Sequence, residues 1–205
     1  MSERIPQVVF KYAYPLDRNR RQLFKRKDLE GYPSKKRVNK EVQIWRELWS
    51  EINKDDSVIK KIIDITGITY PRDIEVFVIG GGLGAMSTPL ILPVMSLEGQ
   101  GRDKRTELVI HELLHRFAGD REAVPCVGNY WSKVREKWVD ESKLTQNHII
   151  IYALLIRILG DLAPDIDVKD TIYKEATDYF RALEIAREEG PDEIIAEFRE
   201  LSQDK

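Results

Sequence analysis

Two stretches of this sequence are apolar around almost their whole helical circumference, and a helix of that kind belongs in a protein interior. The first runs from Arg102 to Ala118 and carries Leu108, Val109, Ile110, Leu113, Leu114, Phe117 and Ala118. The second runs from Lys143 to Leu159 and contains NHIIIYALLIRIL. Gly119 and Gly160 stand where each helix can end. Any fold open to this chain must therefore wrap two helices. Neither is a bilayer span, because the longest mostly apolar run, Ile149 to Ile156, falls far short of the roughly 20 residues required. The opening residues, Met-Ser-Glu-Arg-Ile-Pro, form no apolar leader. These features predict a cytoplasmic protein with no membrane partner.

Around the two helices, 205 residues at 42% hydrophobic and 33% charged content supply one domain with a sizeable core. Val8 to Tyr14 is β-branched and aromatic and reads as a strand that stops at Pro15, while the polar stretch on to about Pro33 is left unassigned. From Ser34, apolar residues at Val38, Val42, Trp45, Leu48, Trp49 and Ile52 recur at helical spacing. A shorter helix follows from Ser57, whose hydroxyl is placed to cap it, through Val58, Ile59, Ile62, Ile63 and Ile65 to Gly67. Ile74 to Ile79 reads as a buried strand and Pro89 to Leu97 as another, which Pro93 confines to a sheet edge because proline cannot donate to the ladder. The remainder is charged helix broken at Gly190-Pro191. Strands early and helices late, without βαβ alternation, predict an α+β fold in a single domain, 1–205.

The net charge of −2 conceals an asymmetry: residues 1–40 hold 12 Lys and Arg against 4 Asp and Glu, and residues 161–205 hold 14 acids against 6 bases. The basic segment, with Arg18, Arg20, Arg21, Lys25, Arg26, Lys27, Lys35, Lys36 and Arg37, reads as a solvated surface. Nucleic acid is an accessory alternative for it. The acidic terminus reads as solvated helices packed on or over the core, with Ile172, Tyr179, Phe180, Leu183 and Ile185 among the packing residues. The single cysteine, Cys126, excludes an intrachain disulfide and a Cys-based zinc knuckle, and reads as a small buried hydrophobe. VFVIGGGLGAMS matches a dinucleotide fingerprint through Gly80, Gly82 and Ala85. Pro89 and Pro93 arrive before a helix could form at the glycines, so the expectation is a tight strand connection.

The motif with chemical content is His111-Glu112-Leu113-Leu114-His115. Residues four apart lie one above the other on a helix face, so both imidazoles can reach one ion. Glu112 beside them is placed as base for a water acidified by that ion. The third histidine, His148, opens the second apolar helix and is the favoured third ligand; Asp120, Glu122, Asp140 and Glu141 compete with it. Tyr152, one turn after His148, or Tyr130, is a candidate for stabilising an oxyanion. Trp131 and Trp138 read as core.

These residues resemble the zincin metallopeptidases, whose H-E-x-x-H helix packs beneath a mixed sheet with a substrate-binding edge strand. The match spans about residues 74–160, and its order of elements is closest to the gluzincin branch. There the second helix supplies a glutamate ligand within Asn-Glu-x-x-x-Asp, where this chain has Asn147-His148-Ile149-Ile150-Ile151-Tyr152. The metzincin extension asks for glycine where Ala118 stands. The resemblance implies Zn²⁺ held by His111, His115 and His148, with Glu112 and Tyr152 catalytic. It also implies a peptide or protein substrate laid along strand 89–97. The alternative from another class is a zincin-like metal-binding, protein-interaction or nucleic-acid-associated module with little or no peptidase activity.

Overall fold

A computed structural model of the chain describes residues 4–27, 30–82, 84–120, 126–168 and 177–203. The first strand, β1 (Val8–Tyr12), ends before Pro15, and Tyr14 already belongs to a helix, α1 (Tyr14–Arg26), in the stretch left unassigned from sequence. Proline is accepted in the first turn of a helix because it lacks only an N–H that would find no partner there. α1 also buries an acid, Asp17, where a hydrophobic residue is expected. In α2 (Lys35–Ile52) the Ser34 hydroxyl accepts from Arg37 N at 3.2 Å, and the apolar stripe packs on β1, Phe10 stacking on Trp45 with ring centroids 6.1 Å apart. α3 (Ser57–Thr66) is capped differently from the expectation. Ser57 is its first residue and its hydroxyl donates back to Ile52 O, while Asn53 Oδ1 accepts from Val58 N and Ile59 N. Gly67, at φ 70°, closes the helix as its left-handed conformation allows.

The sheet contains β2 (Ile74–Ile79), β3 (Met86–Ser87) and β4 (Leu90–Pro93) besides β1, in the order β1-β2-β4-β3. β1, β2 and β4 run parallel and β3 is antiparallel to β4, so α1 to α3 form a crossover between parallel strands that the chain-order argument excluded. The edge assignment also changes. β4 is paired on both sides and stops at Pro93, after which Met95–Leu97 form a 3₁₀ turn; the edge near the histidines is β3. Proline is tolerated in β4 because β3 reaches only to Ile91, two residues short of it.

The helices that follow are α4 (Arg102–Gly119), α5 (Val127–Lys137), α6 (Lys143–Leu162), α7 (Thr177–Glu189) and α8 (Pro191–Gln203). With eight α-helices and a four-stranded mixed sheet among the described residues, the fold is α+β. α6 is its central rod, packed against α3, α4, α7 and α8, with Ile149, Ile150, Ile151, Leu154 and Leu155 fully enclosed. Gly160 lies inside α6 rather than at its end, because the helix continues two residues onto the surface. None of the described helices is long and apolar enough to cross a membrane. Ile172 lies outside the described residues; Leu183 and Ile185 are buried against the core, and Tyr179 and Phe180 are half-buried.

The glycine segment after β2 is a tight connection already filled by the protein itself. A Cβ on Gly80 would overlap the Tyr32 ring, and one on Gly81 would come within 2.9 Å of it. Asp17 Oδ1 accepts the Gly80 N–H at 2.6 Å, so a carboxylate of the chain stands where the fingerprint would place a phosphate.

A candidate metal centre between α4 and α6

The i,i+4 spacing on α4 brings His111 and His115 onto one face, and the packing of α4 on α6 brings His148 to meet them. His115 Nε2 lies 3.2 Å from His111 Nε2 and 3.2 Å from His148 Nε2. Two nitrogens bonded at about 2.0–2.1 Å to one tetrahedral ion stand roughly 3.3 Å apart, so the donor set and its spacing fit such an ion. Three neutral imidazoles this close cannot all direct lone pairs at one another, whereas a shared cation accepts all three. Among the described residues this is the one group of three metal-ligating side chains, and it could hold a metal ion.

The surroundings disfavour the charged form of two of these rings, His115 and His148. Burial, then the neighbouring His111 and His148, pushes the His115 imidazolium well below its ordinary range, and burial with His111 pushes His148 down to about 4. His148 Nδ1 donates to Leu144 O at 2.7 Å, which leaves its Nε2 free of a proton and facing the cluster. Glu112 is 8% exposed; burial lifts its carboxyl above the usual range, with His111 opposing and Glu107 adding to the rise.

A cleft of about 420 Å³ opens beside the cluster, lined by Ala85, Met86, Ser87, Thr88, His111, Glu112, His115, Gly119, Trp131, Asn147, His148 and Tyr179. One wall is therefore the β3 edge, where Met86 is 47% exposed. The opposite side comes from α7. Asp178 accepts from the hydroxyls of Ser142, at 2.6 Å, and Thr145, at 3.2 Å, tying the start of α7 to the start of α6. That tie sets the Tyr179 ring 4.4 Å from the His148 ring, centroid to centroid.

Tyr152 is adjacent to the histidines but stands behind them, 2% exposed, its ring 5.7 Å from that of His111 and outside the cleft lining. Tyr130 is buried against Phe198. Of the competing carboxylates, Asp120 pairs with Arg116 at 2.7 Å and accepts from Tyr70, Glu141 accepts from Arg181 at 2.9 Å, and Asp140 is exposed. Glu122 lies outside the described residues. Cys126 is partly buried beside α5 and outside the cluster. Trp138 is core as expected, whereas Trp131 lines the cleft.

Two residues near the cluster escape the sequence reading. Tyr179 arrives by the packing of α7, and no local pattern announces it. Glu107 has a signal, since it precedes His111 by one helical turn, and its Oε1 lies 3.5 Å from His111 Nδ1. Comparison of the chain with protein-family models, curated proteins and solved structures finds no match, so the chemistry of the site rests on its own geometry.

Proposed function

We propose that this protein is a zinc-dependent hydrolase acting on peptide or other amide bonds. The observation that carries the reading is the convergence of three imidazole nitrogens beside a buried carboxylate, at a cleft walled by a sheet edge. His111, His115 and His148 would hold the ion through Nε2. When bound, zinc supplies Lewis acidity and lowers the pKa of water toward about 7. Glu112 takes the proton from the attacking water and returns it to the leaving nitrogen, a double task suited to a carboxyl raised by burial. Tyr179, which lines the cleft as Tyr152 does not, is the residue assigned to stabilise the developing oxyanion. Substrate backbone extends along β3, whose outer side has no neighbouring strand among the described residues. A peptide substrate and a cytoplasmic setting belong to the same proposal.

A Glu112→Gln variant tests this. It is expected to retain near one zinc per chain by elemental mass spectrometry while hydrolysis of a peptide mixture falls by about 10²–10⁴-fold. The wild-type activity should be abolished by o-phenanthroline. Zinc lost from the variant, or hydrolysis unchanged in it, removes Glu112 from the assigned role.

A second reading, a nucleic-acid-associated module, draws on Arg18, Lys25 and Arg26 on α1, Lys27 just after it and Lys36 on α2, which are exposed and form no ion pair with a described residue. Duplex binding that weakens steeply with salt would support it.

A further inference from the structure

We infer that Glu107 is the positioning residue of this centre: its carboxylate accepts a hydrogen bond from Nδ1 of His111 and so fixes the tautomer whose Nε2 faces the other two histidines. The inference rests on the metal-site reading above and extends it to the residue that sets ligand orientation.

The argument starts from burial. Glu107 is 3% exposed in the middle of α4, and a carboxylate taken out of water must be compensated. Lys104 provides part of this, its Nζ 3.2 Å from Oε2. The other oxygen, Oε1, is turned to His111 and lies 3.5 Å from Nδ1. That nitrogen is fully buried and makes no hydrogen bond, which is costly unless a partner is within reach. Glu107 is within reach: the separation exceeds a good N–H···O bond by about half an ångström, which a small rotation of the carboxylate closes. With Nε2 ligated, Nδ1–H would be a stronger donor, which favours a shorter contact with Glu107.

His148 supplies the comparison. Its Nδ1 is already satisfied by the neutral Leu144 carbonyl, so its tautomer is set without charge. Three imidazoles bring no negative charge to a dication, and Glu107 delivers one to the ring of His111. The same carboxylate also helps raise the Tyr152 hydroxyl and the Glu112 carboxyl, so its field reaches both of these neighbours of His111.

The test compares Glu107→Ala, Glu107→Gln and Lys104→Ala with wild type. Zinc affinity is read by competition with a chromophoric chelator, and the His111 tautomer by ¹⁵N NMR on the metal-free protein. Glu107→Ala is expected to weaken zinc by about 10–100-fold, as loss of an outer partner does. Glu107→Gln, which keeps an acceptor and loses the charge, falls between, and Lys104→Ala stays within about 3-fold of wild type. In wild type His111 carries its proton on Nδ1, and Glu107→Ala mixes the tautomers. Unchanged affinity with an unchanged tautomer in Glu107→Ala overturns the inference, as does an equal loss in Lys104→Ala, which would make the ion pair merely structural. Should Glu107→Ala fail to fold, the glutamine variant decides: affinity within 3-fold of wild type overturns the inference. If wild type takes up no zinc, the metal reading fails while the tautomer measurement still decides whether Glu107 holds His111.

Discussion

Replacing Asp17 with alanine tests whether the glycine segment beside the sheet is held by a single carboxylate. Asp17 is 0% exposed and receives four donors: Tyr12 OH at 2.6 Å, Tyr32 OH at 2.7 Å, Gly80 N at 2.6 Å and Arg21 Nη2 at 3.0 Å. Truncation leaves the buried Gly80 N–H without an acceptor, at about 1–3 kcal/mol, and strips Arg21 of its partner. The two half-buried tyrosine hydroxyls can turn to water. The expected loss is therefore about 3–5 kcal/mol, the range for removing one side of a buried charged pair. At about 2–4 °C per kcal/mol for a domain of this size, the melting temperature falls by roughly 6–20 °C. Asp17→Asn keeps an acceptor for Gly80 and Tyr32 but loses the charge and the Oδ2 acceptor of Tyr12 and Arg21, so it should fall less far than the alanine variant. Differential scanning calorimetry at pH 7 reads both variants. An alanine variant that melts within about 2 °C of wild type would refute the view that this hub carries the segment.

Gly80→Ala presses a methyl into the Tyr32 ring and should cost about 1–3 kcal/mol, read as a lower urea midpoint with unchanged slope. For the proposed hydrolase, Tyr179→Phe is expected to lower kcat by about 10–1,000-fold with KM little changed, whereas Tyr152→Phe alters stability more than kcat; steady-state kinetics separates the two. Metal-free protein should lose stability as pH falls from about 6.5 toward 4, because the unfolded histidines bind protons that buried His115 and His148 refuse. Thermal melts across that window check the sign, and the slope should flatten in His148→Phe. Zinc at a thousandfold excess over its Kd should raise the wild-type melting point by about 8–16 °C in scanning fluorimetry, a shift lost in His115→Ala.

The parts of this molecule that a local rule governs are legible in its sequence. The stripe of α2, the all-round apolar α4 and α6, and the i,i+4 pair of histidines each follow from helical period alone. The meeting of His148 with that pair is suggested by its place at the start of the second apolar helix, in a chain with no further histidine, but competing carboxylates leave it open until α4 and α6 are seen to pack. What escapes is whatever depends on distant neighbours. Pro93 reports a missing donor but not which strands flank β4, and the true edge, β3, is two residues long, too short to show an alternating pattern. α1 is hidden because its inward position carries Asp17, whose burial makes sense only once Tyr32 and Gly80 are in place. Tyr179 is set by an Asp178 bridge to Ser142 and Thr145, a contact with no trace in the local sequence.

The cleft draws its wall from residues 85–88, its floor from 111–115 and 148, and its far side from residue 179. A chain leaving the ribosome therefore exposes the histidines of α4 long before the tyrosine that encloses them. Until α7 has been made and docked on α6, the nascent polypeptide has no finished cleft beside these histidines. Order along the chain thus becomes order in time, and the enclosure of the histidine cluster is among the last features that synthesis completes.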